Sequence, residues 1–240
     1  MIGLGPGGPE GLSGQAREAL ARAEAVVGYR TYLDQVRPLL AGKKVYASGM
    51  TRELDRAAQA LDLAAGGLPT AVVSGGDPGI YAMASVVFEL IAARGLALGQ
   101  GPDMFDVRVI PGIPALAAAA ALLGAPLGHD FAAVSLSDRL TPWELIARRL
   151  DLAAQADFVL VLYNPKSRGR DWQYAEALKL AGRRRPPGTP VGLVSRAMRE
   201  GQAVRITTLS QAAAAEVDMQ TLVVIGNSRS FVYQGRMVTP

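Results

Sequence analysis

Short β-rich runs in this chain repeatedly end in glycine. TAVVS (70–74) stops at Gly75-Gly76-Asp77-Pro78-Gly79, the chain opens on MIGLGPGG, and FDVRVIPG (105–112) leads into IPALAAAAALLG. Each places a turn just past the carboxyl end of an expected strand, which is where open α/β sheets bind ligands. Gly75, Gly76 and Gly112 permit close backbone approach or a positive φ. One such turn is an ordinary strand-to-helix connection. Three of them, with the small residues Pro114 and Ala115 behind the third, suggest a groove for a flat ligand gripped by main-chain groups, and Asp77 is placed to accept from a ribose hydroxyl or an ammonium.

Further β-rich runs are AVVGY (25–29), KKVYA (43–47), AAVSLS (132–137), DFVLVLYN (157–164), PVGLVS (190–195) and TLVVIGN (221–227). Alanine- and leucine-rich segments of helical spacing lie between them: GQAREALARAE (14–24) behind an expected N-cap at Ser13, ELDRAAQALDLAA (53–65) and PWELIARRLDLAAQA (142–156). This alternation predicts an α/β fold. GAPLGHDF (124–131) has a linker's composition, so two α/β domains are expected, 1–124 and 125–240. AVRITTL (203–209) and SFVYQ (230–234) look antiparallel, so the first domain should hold a mainly parallel sheet and the second a mixed one.

Composition removes several function classes. The 240 residues contain no cysteine, which excludes disulfides, thiolate catalysis and cysteine-ligated metal, and makes the cytoplasm the expected compartment. No apolar run is long enough to span a bilayer. Asp77 has no acid or histidine at ligand spacing, so no metal is expected. The net charge is +4 with arginine far ahead of lysine, and the one dense basic cluster, Arg183-Arg184-Arg185, runs into Pro186-Pro187-Gly188 and reads as a solvated loop rather than a nucleic-acid surface. Gly3, Gly5 and Gly8 formally make a G-x-G-x-x-G fingerprint. A dinucleotide fold would open directly into a helix, whereas Pro9 to Leu12 intervene, and Pro6 removes an N–H from the loop.

In this order GLGPGG, SGGDPGIYAMA and PGIPALAAAA resemble the tetrapyrrole methylase family over nearly the whole chain. VGYRTYLDQV (27–36), GAPLGHDFAAVSLSDRLTPWELI (124–146) and DFVLVLYNPKSRGRDWQ (157–173) are most similar to its branch that methylates C(17) of a precorrin and contracts the ring in cobalamin biosynthesis. The resemblance implies a cleft between two α/β domains, S-adenosylmethionine as cofactor, a tetrapyrrole substrate and a homodimer. It implies cofactor contacts at Pro6, Gly75, Gly76, Asp77, Ile80, Pro114 and Ala115, and at Asn164, Ala197 and Gly226. Another precorrin or uroporphyrinogen methyltransferase, or a non-catalytic tetrapyrrole or adenosylmethionine binder, are the alternatives.

Ring contraction as the family performs it calls for an acid or base. GHDFAAVSLSD supplies His129 and Asp130 as catalytic candidates, with Ser135, Ser137 and Asp138 as substrate contacts that can also move a proton. A linker histidine that only satisfies backbone carbonyls is the other reading of His129. The carboxylate rim of a precorrin calls for cations, and Lys166, Arg168 and Arg170 in NPKSRGR, with Arg139 and Arg196 on neighbouring loops, are expected to provide them. Trp143 and Trp172 are expected in the core or an interface.

Overall fold

The computed structural model describes residues 1–101, 103–167 and 169–240. Two units divide at Ala115/Leu116. In the first, the elements in chain order are β1 (Ile2–Gly3), α1 (Gly14–Arg22), β2 (Ala25–Tyr29), α2 (Arg30–Gln35), β3 (Lys44–Ser48), α3 (Glu53–Ala65), β4 (Thr70–Ser74) and α4 (Met83–Ala93). The strands lie in the order β1-β4-β2-β3, every pair parallel. Strand alternation assigns the two faces. Val26, Ala71 and Val73 pack with Ala16 and Leu20 of α1 and Leu33 of α2, while Val27 and Val72 pack with Ala57, Ala60 and Leu61 of α3 and Met83, Val87 and Ile91 of α4. A parallel sheet needs both faces covered, and these strands read as continuous apolar runs for that reason. Ser13 caps α1 as expected, its Oγ accepting from Ala16 N at 3.1 Å.

The expected strand at 105–112 does not form. Phe105 bridges Leu98 and Ile110 bridges Ile2 as isolated pairs. Ile110 N donates to Met1 O and Ile110 O accepts from Gly3 N, after which Pro111 has no N–H with which to continue a ladder.

The second unit contains α5 (Ala115–Leu123, all but its first residue), β5 (Gly124–Ala125), β6 (Phe131–Ser135), α6 (Trp143–Gln155), β7 (Val159–Tyr163), α7 (Trp172–Gly182), β8 (Pro190–Ser195), β9 (Ala203–Thr208), α8 (Leu209–Ala212), β10 (Thr221–Ile225), β11 (Phe231–Tyr233) and β12 (Arg236–Val238). Its main sheet runs β6-β7-β10-β8-β9. β6 and β7 are parallel, and the other pairs are antiparallel. Val134, Leu160, Leu162, Val191, Leu193, Val223 and Ile225 face α6, α7 and α8. Val159, Val161, Val194, Leu222 and Val224 face α5 through Ala119 and Leu123. A small sheet β11-β12-β5 completes the unit.

The sequence break at 124 is therefore the end of α5 and not the division between units, which falls nine residues earlier. Packing explains the shift, because Ala119 and Leu123 are fully buried on the second unit's sheet. Arg185 departs from its expected solvated loop. It is 5% exposed and donates to the carbonyls of Gly226 and Phe158, and burial lowers its pKa.

Leu123 sits over Gly192 of β8, where an added Cβ would come within 2.5 Å of the leucine side chain. Leu123→Ala should destabilise the protein by about 2–5 kcal/mol through lost burial and the cavity left on a flat strand position. Urea unfolding should show this as a lower midpoint at unchanged slope.

Candidate functional site

The carboxyl ends of β1 and β4 and the segment after Ile110 meet in the first unit. Gly5 and Gly76 exchange both main-chain hydrogen bonds at 3.0 Å, and Leu4 N donates to Ser74 O at 2.9 Å. Gly112 lies against them so closely that a Cβ there would stand 2.2 Å from Gly76 O and 2.8 Å from Gly3 C. Glycine at 112 is a packing requirement. At Gly76 the requirement is conformational: φ is +66°, and a Cβ would find nothing nearer than 3.6 Å, where it would meet Pro114 Cα and Ala115 N. Pro114 and Ala115 thus stand beside Gly76 as the sequence suggested.

Asp77 ties the second loop to the third. Its Oδ1 accepts from Gly79 N at 2.8 Å and its Oδ2 from Gly112 N at 3.1 Å. The carboxylate is therefore a structural acceptor first, and each oxygen retains capacity for a ligand donor. Ile80 follows the same turn, with Ile80 N donating to Asp77 O. Pro6 lies on the first loop, its carbonyl closing over Gly11. Tyr32, which the sequence left without a role, seats its ring on Gly75, where a Cβ would be 2.6 Å away, and meets Tyr29 edge-on at 5.3 Å. A cavity of about 450 Å³ between α2 and β3, lined by Arg30, Leu33, Arg37 and Val45 among others, shares none of these loop residues.

In the second unit, strand direction sorts the expected residues between two edges. β6, β7 and β8 all point the same way, so Ser135, Asn164 and the Arg196-Ala197 turn stand at one edge, with Thr221 at the start of β10 beside them. Asn164 Nδ2 donates to Ser135 Oγ at 2.9 Å, and Ser137 N donates to the same oxygen at 3.2 Å. Asp138 Oδ2 accepts from Nε2 of Gln173, a 1% exposed residue that sequence reasoning missed. Arg170 is buried against the same loops, donating to Leu136 O and Asn164 O. Lys166 lies 5.6 Å over the Tyr174 ring, and Arg139 is exposed. Arg196 donates to Gln220 Oε1. Arg168 lies outside the described residues.

His129, Asp130 and Gly226 stand at the opposite, amino edge. Val159 N donates to Asp130 O, and Gly226 N to Pro190 O, so all of them flank the beginnings of β6, β7 and β8. β6 separates Asp130 from Ser135 by roughly 16 Å at about 3.3 Å per residue. The structure does not bring the sole histidine to the serine–asparagine cluster. Its Nδ1 accepts from Asp130 N at 2.8 Å, and both side chains are largely exposed. Gly226 makes the turn into β11, where a Cβ would strike Ser230. Trp143 and Trp172 pack edge-on at 4.9 Å at the starts of α6 and α7, Trp143 partly buried against the second unit's core and Trp172 exposed.

Among the described residues no helix is long and apolar enough to cross a membrane. Residues 1–213 match the family model of tetrapyrrole (corrin/porphyrin) methylases. The chain is 45% identical over its whole length to the probable cobalt-factor III C(17)-methyltransferase of Salmonella typhimurium, of which it covers 97%. It is 44% identical over its whole length to the cobalt-factor III methyltransferase of Priestia megaterium, but spans only 44% of that longer protein. Among solved structures it is similar to the methyltransferase CobJ, with TM-score 0.91, 37% identity and coverage of 100% of this chain and 98% of the other. It is also similar to uroporphyrin-III C-methyltransferase of Thermus thermophilus complexed with S-adenosylhomocysteine, with TM-score 0.70, 26% identity and coverage of 94% and 95%. With glycine-lined strand ends, a parallel sheet in one unit and a mixed sheet in the other, and a family match over most of its length, the chain belongs to the tetrapyrrole methylases.

Proposed function

We propose that the chain is an S-adenosylmethionine-dependent methyltransferase that methylates C(17) of a precorrin-3B-type tetrapyrrole, metal-free or cobalt-bearing, and contracts its ring in cobalamin biosynthesis. The observation that carries this reading is end-to-end identity of 45% with a probable cobalt-factor III C(17)-methyltransferase, in a chain whose three glycine-rich segments lock together. A relative complexed with S-adenosylhomocysteine supports the cofactor.

The residues present fit that cofactor. Around Gly76 the surface is built from main chain, with no side chain at 76 and the backbone of Pro114 and Ala115 beside it, which suits a ligand read through peptide groups. When bound, S-adenosylmethionine supplies an electrophilic methyl group on a sulfonium. Pro6, Gly75, Gly76, Ile80, Pro114 and Ala115 hold and orient it, and Asp77 keeps the second and third loops in register. Fixing donor and acceptor in line can contribute up to roughly 7–11 kcal/mol of barrier reduction. In the second unit, Asn164 and Ala197 are carried in this reading as cofactor contacts, and Ser135 and Ser137 offer hydroxyls to the macrocycle. Asp138, held by Gln173, is the group at that edge suited to move a proton during contraction. Arg139, exposed beside them, is the cation best placed for a substrate carboxylate, with Lys166 and Arg168 as further candidates. A homodimer belongs to the same reading, supported by the exposed edge strand Phe231-Val232-Tyr233, and the cytoplasm is the compartment proposed with it.

Calorimetry with S-adenosylhomocysteine tests the cofactor reading. The wild type should bind, Gly76→Ala should lose about 1–2 kcal/mol of stability to left-handed backbone strain while keeping measurable affinity, and Gly112→Ala should abolish binding because the loops cannot close. No binding by folded wild type would overturn the reading.

Product analysis tests the proton assignment. His129→Ala should make the normal product at a near-normal rate and change stability by no more than about 0.5 kcal/mol. Asp138→Asn should keep cofactor affinity and slow contraction by roughly 10²–10⁴-fold. The reverse pattern, read by product mass and absorption spectrum, would return the role to the histidine.

A further inference from the structure

Arg170 was expected to reach outward to a substrate carboxylate, and its surroundings point the other way. The residue is only 7% exposed. One terminal nitrogen donates to Leu136 O at 2.9 Å and the other to Asn164 O at 2.8 Å, so the two arms of the guanidinium fork are taken by carbonyls of two different loops, those after β6 and β7. Main-chain bonds fix the backbone at Arg170: Ser167 N donates to Arg170 O at 2.8 Å, and Arg170 N to Ser167 O at 2.9 Å.

Asn164 needs such a clamp. Its φ is +52°, in the left-handed region that asparagine tolerates better than most residues but still at a cost. Its side-chain amide is fixed by Ser135 Oγ, and Ser135 adjoins Leu136, the other residue whose carbonyl Arg170 holds. One guanidinium thus fixes both ends of the Asn164–Ser135 hydrogen bond. Leu136 is fully buried, so without the arginine its carbonyl would be left with an unmet acceptor.

We infer that Arg170 is a positioning residue that sets the conformation of Asn164 and the orientation of Ser135 at this edge, and is not a substrate-binding fork. The inference rests on the methyltransferase reading only for what Asn164 contacts. A lysine keeps the charge but offers a single nitrogen, which cannot span two carbonyls on separate loops as a planar fork does. Charge conservation and geometry are thereby separated.

The experiment combines hydrogen–deuterium exchange with calorimetry on the full chain. In Arg170→Lys, residues 135–139 and 163–167 should exchange faster while the centre of β10 stays protected. S-adenosylhomocysteine affinity should fall about tenfold or more, and adding Arg170→Lys to Asn164→Ala should produce little further loss, since both changes remove one coupled unit. Methylation at saturating cofactor should show a lowered kcat. Unchanged exchange in both loops, with normal cofactor affinity and a raised tetrapyrrole KM, would overturn the inference in favour of a fork. If the wild type does not bind S-adenosylhomocysteine, the methyltransferase reading fails, and the exchange measurement still decides the role of Arg170. If Arg170→Lys does not fold, Ser135→Ala takes its place: faster exchange at 163–167 is expected, and unchanged protection there would overturn the coupling.

Discussion

Two strand ends, those of β1 and β4, meet the segment after Ile110 in the first unit with no side chain between them. Gly5 and Gly76 pair through both main-chain hydrogen bonds, and Gly112 closes to a distance that leaves no volume for a methyl group. Asp77 then converts this contact into a fixed geometry, since one carboxylate accepts from an amide of its own loop and from an amide of the third. The surface so produced is made of peptide groups held by a parallel sheet that is packed on both faces. Such a surface reorganises little when a ligand arrives, and preorganisation of that kind is where positional catalysis draws its energy.

Buried arginine recurs as the device that holds strand ends. Arg56, 4% exposed, donates to Ser48 Oγ and Gly49 O just after β3. Arg170 ties the loops after β6 and β7, and Arg185 ties Phe158 and Gly226 at the amino edge. In each case backbone oxygen atoms accept from the guanidinium, and no carboxylate is among those partners. Burial lowers the pKa of Arg170 and Arg185, but an arginine remains charged well beyond neutrality, so the clamps are insensitive to ordinary pH. Five donors in a rigid plane can satisfy several carbonyls at once, which lysine cannot do.

Much of the architecture was legible because periodicity survives in single segments. Residues 53–65 and 190–195 fold with the bounds their patterns indicate, and the antiparallel nature of 203–208 and 231–233 followed from their composition and spacing. Features set by long-range pairing were not legible. The two-residue strand β5 exists only because β12 lies beside it, and α5 belongs to the second unit because of what Leu123 packs on. The burial of Arg170 and Arg185 was hidden for the same reason: an arginine beside prolines and glycines looks solvated until the carbonyls that surround it are known. Of the site, the glycine loops were visible as a motif, whereas Gln173 and Tyr32 carried no signal beyond a helical glutamine and a tyrosine near a matched loop.

The separation of His129 from Ser135 shows how strand direction decides chemistry. Both residues lie within seven positions of each other in GHDFAAVS, and proximity in sequence suggested a shared site. β6 runs between them, and a strand is the secondary structure that carries neighbours apart fastest, at about 3.3 Å per residue against 1.5 Å in a helix. Because β6, β7 and β8 share one direction, every residue just after those strands gathers at one edge and every residue just before them at the other. Ser135, Leu136, Asn164 and Arg170 therefore form a hydrogen-bonded neighbourhood although 35 residues separate the first from the last, while His129 and Gly226 share the edge where Arg185 does structural work. Candidate acids and bases in an α/β chain are best sorted first by which end of a strand they occupy, and only then by intrinsic pKa.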